Sequence, residues 1–158
     1  MTVNDPPWDR IDLEEAARLG LAEADTPGVV ARARTADGSS SITLTTDAQT
    51  GWHALVLSDL SAASVTVAAL LDPDEARVRL SGSIAPRPSE GPRVHYAVAR
   101  TTEHLEVRVG SEDGHWEVGA ASTVSGWALT CFRAEEFLDP VRTEISTPDG
   151  RWEPFSEH

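Results

Sequence analysis

The chain has 158 residues, a mass of 17.0 kDa and 26 Asp and Glu against 13 basic residues, for a formal net charge of -13. That length is one ordinary domain, and the charge has the wrong sign for phosphate backbones and anionic lipid surfaces, so neither nucleic acid nor membrane is an expected partner. The 13 basic residues are all Arg, which excludes lysine Schiff-base chemistry and a Walker-type phosphate lysine, and the single Cys131 excludes an internal disulfide.

Residues 1–10, with Pro6 and Pro7 before Trp8, read as a flexible lead-in, and residues 11–158 as one β-rich domain. The first residues carry Asp and Pro where an export signal needs basic and then apolar runs, and no window approaches 18 consecutive apolar residues; a cytoplasmic location is expected. Asp12 followed by Glu15 matches a capping box, and Leu13, Ala16, Ala17, Leu21 and Ala24 fall on one face of the helix it would start. Thr26, Pro27 and Gly28 stop that helix, and the apolar period then changes from helical to alternating.

Val29 to Arg34 and the run through Ile42 and Leu44, joined by Thr35 to Gly38, predict a hairpin. Trp52 to Leu60 and Val65 to Leu71 are apolar on both parities, as expected of central strands covered on two sides. After the turn at Asp72, Pro73 and Asp74, strict alternation puts Val78, Leu80, Gly82 and Ile84 inward and Arg79, Ser81 and Ser83 toward solvent. The proline-broken run 85–92 is a loop.

From Arg93 to Thr123 a two-residue turn at Thr102-Glu103 and a four-residue loop at Ser111 to Gly114 predict a three-strand meander. That register sets Arg100 opposite Leu105 and Arg108 opposite Glu117 as a cross-strand ion pair, with Val94, Tyr96, Val98, Val107, Val109, Trp116 and Val118 on one apolar face. It also brings His95 and His115 to within about 10 Å across Gly110. Trp127 to Phe132 reads as a strand, Arg133 to Asp139 as a short helix stopped by Pro140, and Thr143 to Phe155 as two short strands about a turn at Thr147 to Gly150. The fold class is α+β and predominantly antiparallel β: an N-terminal helix on a curved sheet or barrel-like meander of about seven to nine strands, with a short helix near the C-terminus.

Neither HxH, HExxH nor CxxC occurs, and GxSxG, GxGxxG and the P-loop pattern are missing, so no metal, cofactor or catalytic residue is expected. A non-catalytic acidic interaction domain that binds a basic protein partner, of the inhibitor or immunity type, is the leading expectation, because an acidic field steers a cationic partner. Trp8 and Trp152, aromatic residues in polar terminal settings, and the acidic cluster Asp72, Asp74 and Glu75 are the expected contact residues. The alternative is a small-molecule-binding β-barrel or an enzyme with a polar site at His95 and His115, flanked by Arg108 and Glu117. Assembly of like copies is a third course.

Overall fold

The computed structural model describes residues 6–59, 64–75, 78–84, 93–100, 106–111, 114–120, 126–134 and 141–155. It is mostly antiparallel β with one helix, α1 (Leu13–Leu21), followed by β1 (Val29–Arg34), β2 (Ser40–Thr46), β3 (His53–Asp59), β4 (Ser64–Leu71), β5 (Val78–Ile84), β6 (Arg93–Arg100), β7 (Glu106–Ser111), β8 (Trp116–Ala120), β9 (Trp127–Ala134), β10 (Val141–Ser146) and β11 (Trp152–Pro154). These strands form three open sheets, ordered β1-β2-β3-β4, β5-β6-β9 and β11-β10-β7-β8, in place of one curved or barrel-like meander. Among the described residues no helix is long and apolar enough to cross a membrane.

Three apolar clusters stack these parts in layers. Ile11 and Ala16 pack on Ala54, Val56 and Leu70, which sets α1 on one face of the first sheet. The opposite face of that sheet, with Ile42, Leu44, Leu55 and Leu57, meets Val94, Tyr96, Val98, Trp127, Leu129 and Cys131 of the second. The far side of the second sheet, with Ala97, Ala99 and Ala128, meets Val107, Val109 and Ile145 of the third. The second sheet is therefore buried on both faces, and the third turns its remaining face outward.

This layering explains the departures from the predicted pattern. β6 does not pair with β7; it lies between β5 and β9, with Val98 opposite Leu80 and Leu129. The other face of β6, with Ala97 and Ala99 beside the candidate His95, is covered by a whole sheet, and both alanines are buried. Arg79, Ser81 and Ser83 point to that same covered side and are half-buried, with Arg79 reaching Glu153 of β11 at 3.8 Å. Residues 133 and 134 extend β9 where a helix was expected; the remainder of that segment lies outside the described residues.

The phase of α1 also differs. Its buried residues are Ala16, Leu19 and Gly20, while Leu13 and Leu21 stay exposed. A Cβ on Gly20 would stand 2.7 Å from Val56 Cγ1, so the helix rests on β3 through its smallest residue. The Asp12 carboxylate accepts from the Glu15 amide at 3.0 Å, the predicted N-cap bond. Asp37 orders the β1–β2 turn: the Ser39 amide, the Thr35 hydroxyl and the Ser39 hydroxyl donate to it and hold its carboxyl down at about 2. Arg133 of β9 reaches both Asp37 and the Ser39 hydroxyl, tying this turn to the second sheet. Cys131 is buried core filler whose thiol burial pushes up to about 12, so it is a poor nucleophile.

Candidate interaction surfaces

The outward face of the third sheet gathers two of the residues singled out from sequence, Arg108 and Trp152, with two that were not, Glu144 and Trp116. Arg108 on β7 lies opposite Glu144 on β10 and donates to its Oε1 from Nε at 2.9 Å and from Nη2 at 2.5 Å. The guanidinium carbon lies 4.0 Å from the Trp116 ring centroid and 4.1 Å from that of Trp152, so the cation is stacked between two indoles. With side chains 23% and 19% exposed, Arg108 and Glu144 are screened less than an ordinary surface pair. Beside them Val118 is 51% exposed.

Glu117 is not part of this group. The β7–β8 hairpin closes over Ser111 to His115, five residues rather than four, with the Ser111 amide donating to the His115 carbonyl at 3.1 Å. Arg108 therefore faces Val118, and Val109 faces Glu117. Slipping the register by one residue moves every side chain of β8 to the other face, which brings Trp116 and Val118 outward and Glu117 inward. Gly114, with φ +98°, supplies the left-handed residue this longer turn needs.

His95 and His115 belong to different sheets rather than to neighbouring strands of one. His95 lies on the covered face of β6, opposite Ser83 and Phe132, and its Nε2 is buried without a hydrogen-bond partner among the described residues. His115 is exposed in the β7–β8 hairpin of another sheet. Burial, and secondarily the Arg93 charge, pushes the His95 ring below its ordinary pKa of 6.5. His53, which meets the Thr46 hydroxyl at 3.1 Å and lies edge-on to Trp127, is likewise pushed down by burial.

Both rings are harder to protonate in the folded chain than in the unfolded one. Above pH 6.5 neither state holds the proton and stability is complete; as pH falls below that value the unfolded chain takes up protons first and stability declines. The Asp37 contribution persists in this window, because it is lost only below the ordinary carboxylate value of 3.8. The urea midpoint is expected to fall steadily from pH 7 to pH 5, and a His53→Gln, His95→Gln variant to flatten that slope. An unchanged midpoint over this interval would contradict the assignment.

The second surface surrounds α1. Trp8 and Leu13 are each 45% exposed and Leu21 is 59% exposed. Asp9, Asp12, Glu14, Glu23 and Asp25 are exposed around them, and Arg18 is held by Glu15. An open cleft of about 480 Å³, lined by Asp9, Arg10, Ile11, Asp12, Gln49 and Thr50, adjoins the start of the helix. Below it Asp47 is buried. Burial pushes its carboxyl up, but donors from Thr50, Asp12 and Gln49 outweigh that and keep it below the usual range.

Asp72, Asp74 and Glu75 form the turn after β4, where Arg100 donates to the Pro73 and Glu75 carbonyls at 2.8 and 3.2 Å. Trp8 beside α1 and Trp152 on the third sheet belong to opposite outer layers. Among the described residues no three His, Cys, Asp or Glu converge on a metal site. Compared with protein-family models, with curated proteins and with solved structures, the chain matches none.

Proposed function

We propose that this chain is a non-catalytic interaction domain that engages a basic protein partner, with α1 at the centre of the contact. One observation carries the reading: among the described residues, three of the four large apolar side chains that stand exposed, Trp8, Leu13 and Leu21, fall within one short stretch of an acidic segment. Between Asp9 and Asp25 six carboxylates stand against two guanidiniums. Apolar anchors within a charged rim are the anatomy of a specific protein interface, and the sign of this rim selects a cationic partner. The cleft beside Asp9 and Asp12 suits a basic side chain of that partner. Covering the basic cleft of another protein, as inhibitors and immunity proteins do, fits the same chemistry.

The test is native mass spectrometry of the chain recovered at low ionic strength from its own source. A complex of the 17.0 kDa chain with a basic protein is expected, dissociating as salt rises. Leu13→Asp with Leu21→Asp, two exposed positions that leave the fold intact, is expected to weaken it at least tenfold. A partner that ignores both salt and this variant would overturn the reading.

A further inference from the structure

We infer that the outward face of the third sheet is a self-association surface, on which a second copy of this chain packs about a twofold axis through Val118. The face differs in charge from the rest of the molecule. The chain as a whole carries two acids for each base, whereas the strand residues described on this face are balanced: Arg108 with Glu144, and exposed Arg142 with exposed Glu106. Of the surfaces described, it is the one that a second chain with a net charge of -13 approaches without local repulsion.

The arrangement is also self-complementary. Val118 lies opposite Arg108, while Arg142 lies opposite Gly110, two residues further along β7, and Glu106 lies two residues back. A twofold axis crossing the strands at Val118 and Arg108 therefore sets Val118 against its own copy, and sets the Arg108–Glu144 pair, neutral within its own chain, against the same neutral pair of the other copy. The same axis carries each Arg142 about 7 Å past the axis to the strand beside the other copy's Glu106, within reach of its long side chain. The indoles of Trp116 and Trp152, already fixed by Arg108, flank the axis and lose little freedom on docking. Four short strands cover an area at the low end of specific interfaces, so the dimer is weak, with a dissociation constant on the order of 0.1 mM.

Salt separates this association from the basic-partner contact. Two chains of like net charge repel at long range, so moderate salt strengthens self-association while it weakens capture of a cationic partner. Analytical ultracentrifugation of the whole chain is expected to show a reversible monomer–dimer equilibrium that moves toward dimer on going from low to moderate salt. Val118→Glu should abolish it; Glu106→Arg should weaken it about tenfold, and adding Arg142→Glu should restore it. Val118→Cys supplies an independent test, because the only native thiol, Cys131, is buried. Under mild oxidation it should cross-link to twice 17.0 kDa at least ten times faster than Thr66→Cys, an exposed position on β4. A wild-type chain that stays monomeric at millimolar concentration overturns the proposal. So does a dimer indifferent to Val118→Glu, or a Val118→Cys chain that cross-links no faster than Thr66→Cys.

Discussion

Gly119→Ala is expected to destabilise the protein by ~3 kcal/mol, read as a lower urea midpoint, whereas Val118→Ala one residue earlier changes it by less than ~0.5 kcal/mol. Replacing glycine by alanine in a strand ordinarily helps, because it restricts the unfolded chain. Here the added methyl would lie well inside van der Waals contact of the Leu129 carbonyl oxygen and carbon. β9, which carries Leu129, is fixed between two other layers, with Ala128 fully buried on one side and Leu129 nearly so on the other. Its backbone cannot retreat without opening both interfaces, so β8 must lift away instead. A loss below ~1 kcal/mol would mean that the third sheet rides more loosely on the second than this contact implies.

The same contact shows where the sequence was legible and where it was not. Alternating periods and runs apolar on both parities located the strands, and the turn chemistry at Thr35 to Gly38 and Thr147 to Gly150 located the two hairpins it names. Partner choice was beyond reach, because period and turn length describe a strand and its neighbour in sequence. β6 finds its neighbours in β5 and β9, the second separated from it by two intervening strands. The clue to double burial was size: Ala97, Ala99 and Ala128 are small enough for two sheets to close on them, yet alanine in an alternating run reads equally well as a solvated position. In α1, counting leucines chose the wrong face, because close seating on Val56 favours the side holding Ala16 and Gly20. The Trp116–Arg108–Trp152 stack was missed through a single extra residue in the β7–β8 turn, and Glu144 because β10 arrives from far along the chain.

That stack supports the second prediction. Arg108→Ala should cost ~2–3 kcal/mol, more than an exposed ion pair would, because it leaves the 19% exposed Glu144 carboxylate without its cation and separates two indoles. Glu144→Gln in the Arg108→Ala background should recover ~1 kcal/mol, since the stranded charge is then gone. Tryptophan fluorescence gives a second readout: Arg108→Ala should shift the emission to the red as Trp116 and Trp152 gain water, and Glu144→Gln alone should shift it less. If the two single losses simply add in the double variant, the carboxylate and guanidinium are not coupled and the stack is surface decoration.

The strand order β5-β6-β9 has a kinetic consequence. The middle layer cannot be completed until residue 134 has left the ribosome, so the core between the first two sheets lacks Trp127, Leu129 and Cys131 until then. Closure waits for pairings between distant segments, which is the slow regime of folding. A chain cut ahead of β9 is therefore not a smaller working domain but an aggregation-prone fragment.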